Sequence, residues 1–354
     1  MSNVLVTGGA GFIGSFIVDG LVKKGHFVRI FDNLSDHVHQ GKIPSYLNKK
    51  AEFVKGDVRN YSEFSKALED IDIVFHEASL VGIEPSMSNI AGFVSTNSLG
   101  TANLLDIIVN KNFNIKKIII PGSVAIYGES VYVCDKCGER KSEFRRSEQL
   151  AKKQWELRCS KCDKEMKVLN IPEDKEPYLN NIYSLTKYEQ EVMCMSIGKK
   201  YGVPVTVLRY FNVYGPRQSI INPYSGVITK FVDNLLANKA IKIYEDGNQS
   251  RDFINVHDVA QSNILAMENS KADFEIFNVG TGEGTTIKKI AETLIELMNI
   301  NSEPVITNEY RSGDMRHCTA DITKIKKVLG FKPQIDLKTG LKQVIEWQKS
   351  KDRN

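Results

Sequence analysis

The stretch Thr7-Gly8-Gly9-Ala10-Gly11-Phe12-Ile13-Gly14 joins a short apolar run to a helical pattern. Residues 4–6 predict a strand, and the apolar residues that follow the glycines recur at helical spacing. Glycines at such a junction let the backbone turn tightly and approach a diphosphate, which the helix N-terminus attracts. We therefore expect a dinucleotide-binding strand, loop and helix, with cofactor contacts from Gly8, Gly11, Phe12, Ile13 and Gly14.

Acidic residues end the next two predicted strands. Asp32 lies eighteen residues beyond Gly14, where a carboxylate can accept hydrogen bonds from the adenosine ribose and repels a 2′-phosphate. This favours NAD over NADP, although an aspartate here could merely cap the turn into Asn33. Asp57 and Val58 end the third strand, where a carboxylate and a backbone N–H could contact adenine. We expect cofactor contacts here from Asp32, Asn33, Asp57 and Val58.

Short apolar runs alternate with helical patterns through the first 210 residues. The predicted strands are 4–6, 28–31, 53–54, 71–75, 118–120 and 205–208. The predicted helices are 12–24, 61–69, 95–110 and 182–200, followed by 226–238, 286–299 and 337–348. This alternation is typical of an α/β fold with a Rossmann-type, doubly wound parallel sheet. We expect an NAD-binding domain at 1–210, interrupted by an insertion at 131–172. Residues 211–354 should form mainly a smaller substrate-binding lobe, with the chain crossing between the two lobes.

The composition excludes several classes of protein. The chain has 354 residues, is 42% hydrophobic and carries a formal charge of +4. The charge excess lies in residues 134–167, with eleven Lys and Arg against seven Asp and Glu, so the remainder is neutral. A neutral body argues against nucleic-acid binding. We find no leader pattern and no apolar run of membrane-spanning length, so we expect a cytoplasmic protein without a membrane partner.

Tyr183 and Lys187 lie four residues apart, on one face of a predicted helix. A cation beside a phenol stabilises the phenolate and lowers a pKa that is otherwise about 10. The pair alone is weak evidence, because this spacing is common on amphipathic helices. Ser123 follows the fifth predicted strand, at the sheet edge where ligands bind, and its hydroxyl can donate to a substrate oxygen.

With the glycine loop, Asp32, Ser123 and Tyr-x-x-x-Lys in this order, the sequence resembles the extended short-chain dehydrogenase/reductase family, and within it the NAD-dependent nucleotide-sugar epimerases and dehydratases. The resemblance implies that Tyr183 is the catalytic base and that Ser123 binds the reacting hydroxyl. It also implies that Lys187 holds the nicotinamide ribose and lowers the pKa of Tyr183. The substrate contacts that it implies are Ser123, Asn212, Arg217, Tyr244, Arg251 and Arg311.

One departure from the family pattern narrows the predicted reaction. Family members that eliminate water place an acidic residue two positions after the serine or threonine, since that chemistry needs its own acid and base. Here Val124 and Ala125 follow Ser123. Oxidation and re-reduction at a single carbon, which is epimerisation, is the chemistry that remains.

Two Cys-x-x-Cys pairs lie in the insertion. Cys134 and Cys137 are separated from Cys159 and Cys162 by 21 residues. Four thiolates would close a tetrahedral site, so we expect a structural zinc in a ribbon-like unit. Apart from Phe144, Trp155 and Leu157 the insertion offers little core, and a metal would supply folding free energy. Unligated thiols and a redox switch are the alternatives.

The insertion should lie near the mouth of the sugar pocket, as a lid or as a subunit contact, because both of its ends lead to predicted catalytic residues. A cysteine-bearing insertion at this place, together with Asp32-Asn33-Leu34, His37-Val38-His39, Ser86-Met87 and Tyr127-Gly128-Glu129, also resembles enzymes assigned as dTDP-L-rhamnose 4-epimerases. The resemblance implies a 4-epimerase acting on a dTDP-6-deoxyhexose in polysaccharide biosynthesis. A UDP-hexose or UDP-uronate 4-epimerase is the enzymatic alternative, and a non-catalytic NAD-binding redox regulator is an alternative of another class. The family resemblance further implies a homodimer formed through the Tyr183 helix and the helix near 95–110.

Overall fold

The computed structural model describes residues 1–111, 113–219 and 226–350. The strands, in chain order, are β1 (Asn3–Thr7), β2 (Phe27–Asp32), β3 (Glu52–Lys55), β4 (Ile73–His76), β5 (Lys117–Ser123), β6 (Val131–Val133), β7 (Arg140–Lys141), β8 (Lys167–Leu169), β9 (Val205–Tyr210), β10 (Asn212–Tyr214), β11 (Lys242–Ile243), β12 (Ser250–Arg251), β13 (Phe253–Asn255), β14 (Glu275–Val279), β15 (Thr285–Thr286), β16 (Val305–Ile306) and β17 (His317–Cys318).

The α-helices, in chain order, are α1 (Phe12–Lys23), α2 (Asp36–His39), α3 (Tyr61–Ala67), α4 (Ile83–Ser88), α5 (Ile90–Phe93), α6 (Gly100–Asn110), α7 (Ser147–Ala151), α8 (Ile182–Tyr201), α9 (Val227–Leu236), α10 (Val256–Glu268), α11 (Ile287–Met298), α12 (Thr323–Leu329) and α13 (Leu337–Lys349). A π-helical turn, Val94–Leu99, joins α5 to α6, and 3₁₀ turns occupy Val124–Tyr127 and Ser270–Ala272.

The largest sheet is parallel throughout and has the order β14-β9-β5-β4-β1-β2-β3. Because β1 lies between β2 and β4, the chain leaves it towards one side and later returns on the other. The loops after β1 and β4 therefore diverge and open a crevice at the carboxyl ends of the strands, where ligands bind in such sheets. The predicted doubly wound sheet is confirmed.

Apolar side chains cover both faces of this sheet. One face packs against α1, α10 and α12, and the other against α3, α6 and α8. A third apolar cluster joins α9, α11 and α13 in the smaller lobe. The described helices include none with the length and apolar character needed to cross a bilayer.

Several elements of the main body were not predicted from the sequence, including β14, α10 and α12. β14 pairs with β9 at the edge of the main sheet, and α10 packs against α1, although both come from the part of the chain expected to form mainly the substrate lobe. The chain thus returns to the main sheet after entering the smaller lobe. The boundary at residue 210 stays a prediction.

The insertion contains a small antiparallel sheet in the order β7-β6-β8. Its own core is Tyr132, Leu157 and Met166, packed around the cysteines. Phe144 and Trp155 do not belong to this core, contrary to expectation. The Phe144 ring lies 5.6 Å from that of Tyr178, and the Trp155 ring lies 6.3 Å from that of Tyr310, so both aromatics attach the insertion to its surroundings.

Candidate functional site

The glycine loop forms the cradle that its sequence predicted. Gly8 has φ +65° and donates from its N–H to the Phe31 carbonyl at 2.9 Å. A Cβ on Gly14 would lie 2.3 Å from the Gly8 carbonyl oxygen, so the turn and α1 approach too closely for a side chain. Gly11 caps α1 and has no side chain that could accept from the amides of the first turn. These amides suit a diphosphate.

Asp32 connects the glycine loop to the end of β2. Its side chain is largely buried, and its two oxygens accept from the N–H groups of Ala10 at 3.1 Å and Leu34 at 2.8 Å. The aspartate therefore does cap the local turn. Each carboxylate oxygen keeps a second lone pair, so this structural role leaves acceptor capacity for a ribose.

The residues expected to contact adenine lie at adjoining strand ends. Asn33 donates from Nδ2 to Asp57 Oδ2 at 3.0 Å, and Val58 is buried beside Gly100. Arg59 donates to both Asp57 oxygens and, as the largest cause, lowers the pKa of that carboxyl to about 2. Asp57 is thus an anionic acceptor near neutral pH, and its contact with a cofactor stays a prediction.

Ser123 and Tyr183 meet at the carboxyl end of the sheet. Ser123 ends β5 and accepts from the Ala125 N–H at 3.2 Å, and its side chain also hydrogen-bonds the Tyr183 phenol. Tyr183 stands in the first turn of α8, which Asn181 caps by accepting from the Ser184 N–H at 2.8 Å. Burial raises the pKa of Tyr183, and the hydrogen bond from Ser123 lowers it by less.

Lys187 follows Tyr183 by about one helical turn and is buried. Its Nζ has no hydrogen-bond partner among the described residues. Burial lowers the pKa of Lys187 to about 8, while the carboxylates of Glu77 and Glu191 act in the opposite direction. An unpartnered buried ammonium is costly, so this group fits acceptors from outside the chain, such as the hydroxyls of a ribose. Together with the glycine cradle, it shows that the chain fits NAD.

Glu77 is a site residue that the sequence interpretation missed. It directly follows β4, and its Oε1 accepts from the Tyr210 hydroxyl at 3.1 Å, which in turn accepts from Asn263 at 2.7 Å. Burial raises the pKa of Glu77 to about 7, against the opposing effect of the Lys187 charge. A carboxyl group directly after an otherwise apolar strand was the available signal.

Asn97 is a second missed residue and lies in the π-helical turn. Its fully buried amide accepts from the Leu80 N–H at 2.8 Å and donates to the Thr186 hydroxyl at 3.0 Å. It therefore fixes the loop after β4 to the helix that carries Tyr183 and Lys187. Single π-helical turns are frequent at functional sites. No sequence signal distinguishes this asparagine from a solvent-exposed one.

Three of the predicted substrate residues converge in the smaller lobe. The Arg311 guanidinium lies 5.0 Å from the centroid of the Tyr244 ring. Arg251 is held by the carbonyls of Met315 at 2.8 Å and Arg316 at 3.2 Å. Desolvation raises the pKa of Asp314, and the positive charges of Arg251 and Arg311 both act on this same carboxyl in the opposite direction.

Asn212 and Arg217 have different surroundings. The Asn212 side-chain oxygen is buried without a hydrogen-bond partner among the described residues, which leaves the amide available to a ligand. Arg217 instead pairs with Asp19 at 2.7 Å and lies over the rings of Phe16 at 4.2 Å and Tyr46 at 5.0 Å, so its described contacts are to α1 and to the segment between α2 and β3. The substrate roles of both residues stay predictions.

The four insertion cysteines form one cluster. The sulphur atoms of Cys134, Cys137, Cys159 and Cys162 all lie within 4.8 Å of one another, and those of Cys134 and Cys162 are 3.6 Å apart. Tetrahedral zinc with bonds of about 2.3 Å requires sulphur separations of roughly 3.8 Å. Each Cys-x-x-Cys pair is followed by a residue of positive φ, Gly138 or Asp163, whose N–H donates to the carbonyl of the first cysteine, so the two turns resemble each other. The cluster fits zinc.

Comparison with known proteins agrees with this geometry. The sequence profile of the NAD dependent epimerase/dehydratase family matches residues 4–155 and 163–280. The chain belongs to the NAD dependent epimerase/dehydratase family. The predicted family resemblance and the expectation of an enzyme of this family are thereby confirmed.

Similar members of the family include a putative UDP-glucose 4-epimerase of Methanocaldococcus jannaschii, 33% identical with 99% of both chains covered. The dTDP-L-rhamnose 4-epimerase of Burkholderia thailandensis is 31% identical, with 97% of this chain and 94% of that protein covered. The crystal structure of a UDP-glucose 4-epimerase with UDP-glucose from Thermotoga maritima matches with a TM-score of 0.79 at 33% identity, covering 98% of both chains.

Proposed function

We propose that the protein is an NAD-dependent nucleotide-sugar 4-epimerase. The observation that carries this proposal is the buried, unpartnered Lys187 ammonium one turn from Tyr183, whose phenol contacts Ser123. The similar proteins that act on UDP-glucose and dTDP-L-rhamnose support the reaction class. The apolar side chains of Val124 and Ala125 after Ser123 leave no carboxylate there for a dehydration.

The site residues have separate roles in the proposed reaction. When bound, NAD would supply the hydride acceptor for oxidation at the sugar C4 and the hydride donor for reduction on the opposite face. Tyr183 takes the proton of the 4-hydroxyl, to which Ser123 donates a hydrogen bond, and returns that proton after the 4-keto sugar has turned over. Lys187 holds the ribose hydroxyls with its ammonium group. The glycine loop and Asp32 orient the cofactor.

The substrate that we favour is a dTDP-6-deoxyhexose such as dTDP-L-rhamnose, with a UDP-hexose or UDP-uronate as the alternative. Arg251 and Arg311 supply guanidinium groups suited to a diphosphate, and Tyr244 offers a ring to the base. A panel of dTDP-, UDP-, GDP- and CDP-sugars, followed by NMR of the sugar proton couplings, identifies the substrate. Accumulation of a 4-keto-6-deoxy product would instead indicate a dehydratase.

Tyr183→Phe tests the catalytic base. The phenyl ring keeps the packing against Phe93, whose centroid lies 6.2 Å away, but it cannot take a proton. We expect turnover to fall by at least about a hundredfold, a usual contribution of general acid–base catalysis, while NAD stays bound. Substantial residual epimerisation would refute the assignment. Tyr188→Phe, on the same helix, is the control and should be as active as the wild type.

We also propose that the four cysteines hold one structural zinc. The sulphur separations support tetrahedral coordination, and the small core of the insertion supports a need for metal. Elemental analysis should find about one zinc per chain, and Cys134→Ser should lose it. Cys194→Ser, at a buried cysteine outside the cluster, should retain it. A metal-free, fully folded wild type would contradict the proposal.

A further inference from the structure

Arg145 joins the insertion to the smaller lobe through a buried ion pair. It donates from both terminal nitrogens to Glu245, at 2.9 and 2.8 Å, and its side chain and that of Glu245 are 1% and 4% exposed. The same guanidinium also donates to the carbonyls of Trp155 at 3.1 Å and Asp314 at 3.0 Å. One insertion side chain thus holds two separate segments of the other lobe.

Arg316 makes a second connection, from the smaller lobe to the insertion. It is 1% exposed and pairs with Glu245 at 2.8 Å, with Asp246 at 2.7 Å and with Glu156 of the insertion at 2.6 Å. Glu156 also contacts His317 at 3.0 Å. We call Arg145, Glu156, Glu245, Asp246 and Arg316 the arginine network.

The arginine network adjoins the residues that we propose contact the nucleotide. Glu245 is the next residue after Tyr244 and has φ +50°, an uncommon conformation for this residue type that fixes the direction of the chain there. Arg251 donates to the backbone carbonyl of Arg316. Arg311 lies over the Tyr244 ring and so depends on the position of that ring.

We propose that the insertion positions the nucleotide end of the substrate, with Arg145 and Glu156 acting through Glu245 and Arg316 on Tyr244, Arg251 and Arg311. The inference rests on the proposed function, because it concerns how that substrate is held. Arg145 and Glu156 are positioning residues, since their described contacts are to other side chains and carbonyls. The insertion thus forms a fixed wall of the nucleotide site, and its cysteine cluster stabilises that wall.

The physical reason is the cost of breaking a buried ion pair. Removing Arg145 leaves Glu245 with one cation instead of two in a water-excluded site, so the segment that carries Tyr244 must shift to hydrate the carboxylate. The NAD site is built from β1, β2, β4 and α8, and its described contacts do not include the arginine network. Substrate affinity and NAD affinity should therefore respond differently.

The test compares Arg145→Met with Arg146→Met, which changes the adjacent, exposed arginine of the same insertion. Titration calorimetry with dTDP and UDP should give a Kd at least tenfold higher for Arg145→Met, with NAD affinity within twofold of the wild type. In turnover the KM for the nucleotide sugar should rise while kcat changes little. Arg146→Met should behave as the wild type does.

A double-mutant cycle with Glu245→Gln tests whether Arg145 acts on the nucleotide site through Glu245. The double variant removes both charges of one ion pair. Its nucleotide Kd should therefore rise by less than the product of the factors by which the two single substitutions raise it. If Arg145→Met does not fold, Glu156→Gln carries the same comparison. Chelation of zinc from the wild type should likewise raise the nucleotide Kd and leave NAD bound.

The outcomes separate the inference from the proposed function. A wild type that binds and epimerises a nucleotide sugar, with Arg145→Met retaining wild-type nucleotide affinity, overturns the inference alone. A loss confined to kcat also overturns it. A wild type that binds none of the dTDP, UDP, GDP or CDP nucleotides overturns the proposed function, and the inference falls with it.

Discussion

Buried Lys187 and half-buried Glu77 are two titratable groups whose charges act on each other. Burial lowers the pKa of Lys187 to about 8 and raises that of Glu77 to about 7, so both change charge in the working range of many enzymes. The Lys187 ammonium is present below about pH 8 and is lost above it. The Glu77 carboxylate, present above about pH 7, helps Lys187 to keep its proton.

Glu77→Gln should therefore shift the alkaline limb of the pH profile for kcat to lower pH. The amide can still accept from the Tyr210 hydroxyl, but it supplies no negative charge, so the pKa of Lys187 falls further. The measurement is epimerisation between about pH 6 and pH 10. Glu69→Gln removes an exposed carboxylate as the control. An unchanged alkaline limb would contradict the coupling.

The same substitution should also change how the stability of the folded protein depends on pH. The pKa of Glu77 in the folded protein lies above its ordinary value of 4.5, so the folded state binds this proton more tightly. Its stabilising contribution is complete below about pH 4.5 and is lost as the pH rises through about 7. The stability of Glu77→Gln has no such pH dependence at this position, because the amide does not titrate. The Tm of Glu77→Gln relative to the wild type should therefore rise between these pH values, and a constant difference would refute this.

At the scale of elements, α1 depends on the absence of a side chain at its start. The Cβ of Gly14→Ala would lie 2.3 Å from the backbone oxygen of Gly8, so the loop must move and its amides lose their alignment. We expect NAD affinity to fall at least about tenfold, or about 1.4 kcal/mol, by titration of the NAD-free protein. Gly20→Ala is the control, because its Cβ meets only the flexible end of Ile264.

Helix α8 shows how far sequence pattern reaches for a single element. Its existence and the four-residue spacing of Tyr183 and Lys187 followed from the sequence, and the helix indeed spans Ile182–Tyr201. Only some of its apolar residues pack on the core: Met193, Met195 and Ile197 contact it, whereas Leu185 and Val192 are 38% and 46% exposed. The buried residues nearest Tyr183 are polar, namely Ser184, Thr186 and Lys187, because that part of the helix faces the site. Periodicity alone cannot show this.

For the whole molecule, contacts between adjacent segments were predictable and distant ones were not. Six of the seven strands of the main sheet follow from local apolar runs, and α1, α3, α6 and α8 follow from their helical periods, whereas α2, α4 and α5 were not predicted. β14 joins the sheet beside β9, and Arg145 meets Glu245 one hundred positions away. Such contacts depend on the folded path of the chain. The cysteine cluster was predictable because its spacing encodes the local turns.

The surface of the whole molecule carries an apolar patch beside the site, formed by exposed side chains of α4, α5, the π-helical turn and α8 together with Val81, which precedes α4. These side chains are 38–56% exposed, and they are Val81, Ile83, Met87, Ile90, Val94, Leu99, Leu185 and Val192. The elements pack against one another, so the patch is continuous. We propose that a second copy of the chain covers this patch, because two copies of one apolar face can bury each other across a two-fold axis.

Val192→Glu should convert the proposed homodimer to a monomer, because a carboxylate within a self-facing patch is desolvated beside its own copy. Val305→Glu is a matched control, since Val305 is also 46% exposed but lies on β16 in the smaller lobe. Size-exclusion chromatography with light scattering should give a monomer mass for the first variant and a dimer mass for the second. A monomeric wild type, or a dimer that survives Val192→Glu and dissociates with Val305→Glu, would place the subunit contact elsewhere.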